Sequence, residues 1–363
     1  MSALRAGLIG YGAMGRNHAR VLHALDGVEL AGVLDPAPGL VGPYGVPVVT
    51  GLDELLALGV DYAVLASPTG LHEEIGLRLA EAGVHTMIEK PLAPSVAAAQ
   101  NLVDAFARRG LIGAVGHIER YNPALQSLRA RLEAGELGEI YQVVTRRQGP
   151  FPGRIADVGV VMDLATHDID LTAWVTGRQY LRVAAHTTAR SGRPHEDMVS
   201  AVAGLEGGLM ANHVVNWLSP FKERSTVITG ERGSFVADTL HADLTFYANG
   251  AIGTEWEALR NFRGVAEGDM IRYAIPKREP LLVEHERFRD AVNGGVNDTV
   301  TLIQALRTVE VADAVLRSAR EGGTVDVPEA FVTAPRNLPE AHSGRAQSPR
   351  EWFSDRSSRT FVP

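Results

Sequence analysis

Three ionisable residues are candidates for catalysis at a hydroxyl group. Lys90 follows an apolar run of strand length, and Asp163 and His167 lie four residues apart in a stretch with helical periodicity. Residues four apart share one face of a helix, and ionisable groups on a largely apolar helix are costly to bury unpaired. The pattern predicts a cleft that holds all three, and the alternative is a solvated helix face with an incidental pair.

Removing a hydride from a secondary alcohol requires a base for the hydroxyl proton and a donor that steadies the oxygen. His167, with an ordinary pKa near ~6.5, is the natural base at neutral pH, and Asp163 would orient it. Lys90 would hydrogen-bond the reacting oxygen. Lys90 could instead be the base if desolvation lowered its pKa, and the sequence leaves both assignments open.

A glycine pattern near the N-terminus predicts a dinucleotide site. Gly10, Gly12 and Gly15 form G-x-G-x-x-G directly after the first predicted strand and at the start of a predicted helix. In this context the glycines give a tight turn, close approach of a pyrophosphate, and close packing of helix on strand. The pyrophosphate would lie on the helix N-terminus, at Ala13 and Met14.

Further candidates for cofactor contact follow the next predicted strands. Asp35 stands at the ~20-residue distance that the fingerprint requires of the acid that accepts the ribose hydroxyls. Because this carboxylate would repel a 2′-phosphate, NAD is favoured over NADP. The carboxyl ends of later parallel strands line the same crevice. The candidates there are Ser67, Pro68, Thr69, His72, Glu89 and Lys90.

The elements that must position these residues fall into two kinds. Residues 1–120 alternate short apolar runs with amphipathic stretches, which predicts an N-terminal Rossmann domain, a doubly wound parallel sheet of the α/β class. One predicted helix is Ser95–Arg109, with Ser95 as its N-cap. In residues 121–333, closely spaced strands predict a second domain of the α+β class with an open antiparallel sheet, where we expect the substrate to bind. Residues 334–363 predict an extended C-terminal arm.

Composition restricts the class of protein and its partners. Hydrophobic residues make up 45% and charged residues 21%, with a net charge of −8, which argues against nucleic acid or a membrane as partner. Cysteine is absent, and the histidines and acids are not clustered as a metal site requires, so we predict no metal. No stretch approaches the ~20 apolar residues of a membrane span. We therefore expect a cytoplasmic protein.

Several segments resemble the glucose–fructose oxidoreductase / inositol dehydrogenase / rhizopine catabolism (Gfo/Idh/MocA) family, over the chain up to about residue 327. They are 10–18, 67–72 and the E-K-P step at 89–91, and 159–170 resembles a D-x-x-x-H mark on a helix. The resemblance implies an NAD-dependent oxidoreductase. It also implies a homodimer or homotetramer joined through the open sheet.

Within this family, 116–123 and 216–220 resemble the branch of UDP-N-acetylglucosamine 3-dehydrogenases. That resemblance implies NAD-dependent oxidation of a sugar 3-hydroxyl in a nucleotide sugar. The diphosphate of such a substrate requires nearby cations, and arginines flank a Gly-Pro loop ahead of the predicted catalytic helix. The candidates for substrate contact are Arg146, Arg147, Arg154, Tyr121 and Asn122.

Three other functions fit the same residues. A dehydrogenase of inositol or free sugar would keep the site and change the substrate, and would not need Arg147 and Arg154 in the pocket. A regulator would bind NAD or sugar without turnover, although it need not keep Lys90, Asp163 and His167. A glycosidase that oxidises its substrate transiently would cleave a glycoside without net formation of NADH.

Overall fold

The computed structural model describes residues 3–153, 158–250 and 268–328. Arg154 and the predicted arm at 334–363 lie outside the described residues. Residues up to 329 form one compact unit that contains two β-sheets, and the domain boundary near residue 120 stays a prediction. In the described ranges, no helix is both long and apolar enough to cross a membrane.

The first sheet is the predicted doubly wound sheet. Its six strands pair in the order β3-β2-β1-β4-β5-β6, and every pairing is parallel. Strand β4 is buried throughout, as expected of an apolar run covered on both faces. The strands are β1 (Leu4–Ile9), β2 (Val28–Leu34), β3 (Val48–Val49), β4 (Tyr62–Leu65), β5 (His85–Ile88) and β6 (Gly113–Val115).

Four helices flank this sheet. The Ser95 hydroxyl accepts a hydrogen bond from Ala98 N, which confirms its prediction as an N-cap, and the left-handed Gly110 ends the same helix. The helices are α1 (Ala13–Ala24), α2 (Leu52–Ala57), α3 (His72–Glu81) and α4 (Val96–Arg109).

Within the described residues, the second sheet has nine strands in the order β14-β13-β12-β11-β7-β10-β9-β8-β15. It is mostly antiparallel, as predicted, but β7 and β10 pair in parallel, which a helix and two strands between them in the chain allow. The strands are β7 (Ile140–Pro150), β8 (Tyr180–Thr188), β9 (Met198–Leu205), β10 (Met210–Asn216), β11 (Leu218–Gly230), β12 (Gly233–Asp238), β13 (Asp243–Ala248), β14 (Met270–Arg272) and β15 (Val325–Asp326).

One face of this sheet is covered by helices. Helix α6 packs against β7, α8 against β8 and α5 against β12. Helix α8 also contacts α4, and α7 contacts α1, so the last helices return to the first sheet. Thr301 and Gln304 form a capping box at the start of α8. The helices are α5 (Pro123–Glu133), α6 (Thr166–Thr176), α7 (Pro280–Val292) and α8 (Leu302–Glu321).

Candidate active site

Lys90 and Asp163 meet between the two sheets. Lys90 follows β5, and its Nζ donates to the Oδ1 and to the backbone oxygen of Asp163, both at 2.8 Å. Only 15% of the Lys90 side chain and 6% of the Asp163 side chain are exposed. An ammonium has three N–H groups, so one of those of Lys90 remains for a substrate oxygen.

Asp163 does not orient His167, contrary to the sequence-based expectation. The Nδ1 of His167 is buried without a hydrogen-bond partner among the described residues, while Asp163 binds Lys90. The segment Val161–Ala165 is a π-helical turn that leads into α6. Because a π turn is wider than an α turn, residues four apart no longer have the α-helical spacing on which the expectation depends.

His167 is a neutral imidazole at the edge of the cleft. Burial lowers its pKa well below the usual value, and the positive charges of Lys90 and Arg147 lower it further. The residue is half-buried. Among the described residues, its Nδ1 is fully buried and unpaired, whereas its Nε2 is not. The ring packs edge-to-face with His117 at a centroid distance of 6.5 Å. Nε2 is therefore the nitrogen that is open to a substrate.

Arg147 is part of a buried ion network and not a free cation. It is 4% exposed, and its guanidinium lies 2.7 Å from Glu119 and 3.0 Å from Asp168. Burial raises the pKa of Asp168 to about 6, although Arg147 opposes this shift. The expected contact of Arg147 with a diphosphate stays a prediction, and it would have to compete with these two carboxylates. The role of Glu119 could not be predicted from the sequence, because only tertiary packing brings it to Arg147.

The structure places the two substrate-contact candidates before α5 away from the catalytic candidates, and their contact with a substrate stays a prediction. Asn122 accepts from Ala124 N at 3.0 Å and donates to Thr239 O at 2.9 Å, so it caps the helix that Pro123 begins. Tyr121 is 6% exposed. It lines a separate cavity of roughly 560 Å³, whose lining contains none of the three catalytic candidates.

The glycine-rich loop has the geometry that a dinucleotide requires. Gly10 has a φ of +89°, and a Cβ there would lie 2.6 Å from Ala66 O. A Cβ on Gly15 would lie 2.0 Å from Gly10 O, so both positions exclude side chains. A Cβ on Gly12 would meet nothing within 4 Å, and no side chain caps the N-terminus of α1 there. This open space in front of free N–H groups fits a pyrophosphate.

Asp35 is fixed in the position expected of a ribose ligand. Its Oδ2 accepts from Tyr11 N at 2.7 Å and its Oδ1 accepts from Ala37 N at 2.9 Å. The first bond ties the end of β2 to the glycine-rich loop. Each carboxylate oxygen retains a second lone pair that can accept from a ribose hydroxyl.

His72 holds two loops of the crevice together, and its predicted contact with the cofactor stays a prediction. It is 1% exposed, and its ring nitrogens lie 3.0 Å from Ser67 O and 3.0 Å from Pro91 O. It therefore positions the Ser67–Thr69 loop after β4 against the loop after β5. Thr69 is buried, Ser67 is partly exposed and Pro68 is exposed.

Glu89 is buried beneath the crevice. Its Oε1 lies 2.8 Å from His18 Nε2, and its Oε2 accepts from Lys90 N at 3.1 Å. His18 Nδ1 lies 2.8 Å from His285 of α7. Glu89 therefore anchors the backbone of Lys90 to α1, and its predicted contact with the cofactor stays a prediction.

Two family models match the chain over more than half of its length. That of an oxidoreductase family with an NAD-binding Rossmann fold matches residues 4–117. That of the GFO/IDH/MocA C-terminal domain matches residues 125–236. The chain belongs to the Gfo/Idh/MocA family. Its cofactor is NAD, and it is a dehydrogenase that acts on CH–OH groups.

Named relatives in the family act on different substrates. UDP-N-acetylglucosamine 3-dehydrogenase of Acidithiobacillus ferrooxidans is 32% identical over 80% of this chain and 90% of its own. In the structural comparison it has a TM-score of 0.76 at 28% identity, and covers 88% of this chain and 99% of its own. The NAD-dependent scyllo-inositol 2-dehydrogenase of Bacillus subtilis is 26% identical over 90% of this chain and 98% of its own.

A further solved structure of the family contains the cofactor. It is GenD2 of gentamicin A biosynthesis in complex with NAD, with a TM-score of 0.76 at 28% identity. The match covers 91% of this chain and 97% of that chain.

Proposed function

We propose that this Gfo/Idh/MocA protein oxidises the C3 hydroxyl of a UDP-N-acetylhexosamine-type nucleotide sugar with NAD, or catalyses the reverse reaction. The proposal rests on the Lys90–Asp163 pair beside the neutral His167. Lys90 offers a hydrogen-bond donor and His167 a proton acceptor in one cleft. The similarity to a UDP-N-acetylglucosamine 3-dehydrogenase over most of both chains supports the choice of substrate.

The charge of each side chain fits one role in this reaction. The Nε2 of His167 accepts the hydroxyl proton, because burial and nearby cations keep the ring neutral. The Lys90 ammonium donates to the same oxygen, and Asp163 holds that ammonium in place. NAD supplies the hydride acceptor when bound. Gly10, Gly12, Gly15, Ala13, Met14, Asp35, Ser67, Pro68 and Thr69 form the loops that would hold NAD.

A cyclitol such as scyllo-inositol is the second candidate substrate. It is favoured by the match that spans 98% of a scyllo-inositol 2-dehydrogenase. The ion network that already neutralises Arg147 is also compatible with an uncharged substrate at that position.

The experiment is a substrate scan with protein that has been stripped of cofactor and reloaded with NAD. UDP-N-acetylglucosamine, its uronic acid, free N-acetylglucosamine and scyllo-inositol are each mixed with the protein, and NADH absorbance is followed in a single turnover. A signal with the UDP-sugars alone, lost in Lys90→Ala and His167→Ala, is the expected result. A signal with scyllo-inositol alone contradicts the nucleotide-sugar proposal, and silence with all of them contradicts both candidates.

We further infer that the chain forms a homodimer or homotetramer through the uncovered face of the second sheet. A row of outward side chains crosses five hydrogen-bonded strands of that face, and four of the five are valines. None of the five is fully buried, and apolar patches of this kind mark contact surfaces. The row is Val202, Asn212, Val144, Val227 and Val236.

Light scattering tests this assembly. Val202 is 44% exposed at one end of the row, and a Val202→Lys change should shift the protein to a smaller species. Val41 is 84% exposed and lies between β2 and β3, so Val41→Lys is the matched control. A wild-type monomer, or a Val202→Lys protein of unchanged mass, contradicts the inference.

A further inference from the structure

Arg224 occupies the cleft side of the second sheet without an acidic partner. It lies opposite Arg147 in the register of β11 with β7, so both side chains stand on the helix-covered face. The Nη1 of Arg224 donates to Gln148 O at 2.7 Å and to Glu223 O at 2.8 Å. Within the described residues, no carboxylate lies within ion-pair distance of it.

The neighbouring charges make this arrangement unusual. Glu119 and Asp168 are already engaged by Arg147, and the Glu223 carboxylate is engaged by Gln148 and Ser225. The pKa of Arg224 is lowered by burial and by the adjacent charge of Arg147, although the charges of Asp168 and Glu119 oppose this shift. A half-buried guanidinium next to a second guanidinium is costly unless an anion joins it.

Lys222 adds a second cation at the rim of the same face. The strand β11 bulges between Leu218 and Glu223. The bulge places Lys222 against Gly149 of β7. A Cβ on Gly149 would lie 3.2 Å from Lys222 Cγ. Lys222 is exposed, and its ammonium has no hydrogen-bond partner in the part of the chain that the structure describes.

Arg224 also lies near the reacting groups. It stands opposite Arg147 in the sheet, and Arg147 lies 3.0 Å from Asp168, the chain neighbour of His167. An anion bound by Arg224 would therefore belong to a molecule whose hydroxyl can reach His167. Arg146, the neighbour of Arg147 in the chain, is exposed on the opposite face of the sheet and cannot share this contact.

We propose that Arg224, with Lys222 at the rim, binds an oxyanion of the substrate, either the diphosphate of a nucleotide sugar or the carboxylate of a sugar acid. The proposal rests on the proposed function, because it assigns the charged group of the substrate of that same site. A planar guanidinium suits both oxyanions, since each presents two oxygens to its N–H groups.

The test combines variants with substrates of different charge. Arg224→Ala, Arg224→Lys and Lys222→Ala are compared with Arg232→Ala. Arg232 donates to Gly135 O at the far end of the same hairpin, so its loss controls for removal of an arginine from β11–β12. KM and kcat are measured with UDP-N-acetylglucosamine, glucuronate, free N-acetylglucosamine and scyllo-inositol. Binding of inorganic pyrophosphate to the NAD-loaded protein is measured by calorimetry.

Arg224→Ala should raise KM for the anionic substrate roughly ten- to hundred-fold with little change in kcat. Arg224→Lys should recover part of this loss, and Arg232→Ala should change nothing. A rise confined to UDP-N-acetylglucosamine identifies the diphosphate as the bound group, and a rise confined to glucuronate identifies the carboxylate. KM values for neutral sugars should stay the same.

The pyrophosphate measurement separates this proposal from the proposed function. Pyrophosphate binding that weakens in Arg224→Ala supports the anion site even if no sugar is oxidised. Equal KM values in wild type and Arg224→Ala for every anionic substrate, with unchanged pyrophosphate binding, overturn the anion site even if sugars are oxidised normally. A Tm of Arg224→Ala close to that of wild type shows that the variant is folded.

Discussion

Lys90 Nζ lies 2.8 Å from the Oδ1 and 2.8 Å from the backbone oxygen of Asp163. This contact joins the loop after β5 to the π turn before α6, and thus the cofactor sheet to the substrate sheet. In the proposed mechanism, Lys90 donates a hydrogen bond to the reacting oxygen. His167, whose pKa burial lowers well below the usual value, accepts the proton.

The first prediction concerns Lys90. Replacing it with Met should reduce kcat by roughly 10²–10³-fold, the usual loss when a donor to a developing oxyanion is removed. Affinity for NAD, measured by calorimetry, should remain within a few-fold of wild type, because the cofactor loops are intact. A Lys90→Met enzyme with normal kcat would show that the ammonium takes no part in catalysis.

The second prediction is the pH dependence of kcat/KM. The base must be unprotonated, and burial lowers the pKa of His167 well below its usual value. The rate should therefore be flat through neutral pH and fall only when the pH drops below ~6.5. His167→Gln should remove this acid limb and most of the activity. An acid limb above neutral pH that persists in His167→Gln would instead identify Lys90 as the base.

The third prediction contrasts two glycines of the cofactor loop. Gly12→Ala should weaken NAD binding at least ~10-fold without lowering Tm, because its Cβ meets only the space assigned to the pyrophosphate. Gly15→Ala should destabilise the fold by at least ~1–3 kcal/mol, because its Cβ would collide with Gly10 O. Thermal unfolding and NAD titration of both variants give the comparison. Unchanged NAD affinity in Gly12→Ala would refute the assignment.

The fourth prediction concerns the choice of dinucleotide. Asp35→Ser removes the carboxylate that Tyr11 N and Ala37 N hold in place. The ratio of NAD to NADP affinity should fall roughly ten- to hundred-fold, since one charge-assisted hydrogen bond is lost and one repulsion is relieved. Asp53→Ser, on an exposed carboxylate of α2, is the control. An unchanged ratio would mean that Asp35 only braces the loop.

The fifth prediction links a buried histidine to stability. Burial lowers the pKa of His213 to about 4, and the ring bridges Thr145 Oγ1 and Tyr180 Oη. Below the unfolded pKa of ~6.5, the imidazole is protonated in the unfolded chain but stays neutral in the folded protein. The free energy of unfolding therefore decreases as the pH falls, and His213 accounts for about 3 kcal/mol of this decrease by pH 4. His213→Gln should unfold more easily at neutral pH but lose less stability on acidification. Equal pH slopes of the unfolding free energy would contradict this.

Local sequence signals predicted the elements that depend on local physics. Ser95 is followed by helical periodicity and does cap α4. The glycines at 10, 12 and 15 produce the tight turn and the close helix–strand packing because each requirement is satisfied within a few residues. The parallel sheet follows for the same reason, since apolar runs and helical stretches alternate along 1–120.

The partners of charged side chains were not predictable in the same way. Arg147 looked free in the sequence because Glu119 and Asp168, its two partners, come from separate elements. Asp163 and His167 were expected to pair, but a π turn changed their spacing and Lys90 took the carboxylate. In contrast, the cap formed by Asn122 before Pro123 was a local signal that could have been recognised.

The central claim is tested most directly by following the hydrogen at C3 of the sugar. UDP-N-acetylglucosamine deuterated at C3 is mixed with NAD-loaded protein, the protein is denatured, and the released cofactor and sugar are analysed by mass spectrometry. We expect reduced cofactor that carries the deuterium together with a 3-keto nucleotide sugar, and much slower formation of both products in Lys90→Met. Reduced cofactor without the label, or unreacted sugar beside protein that has demonstrably bound NAD, would contradict it.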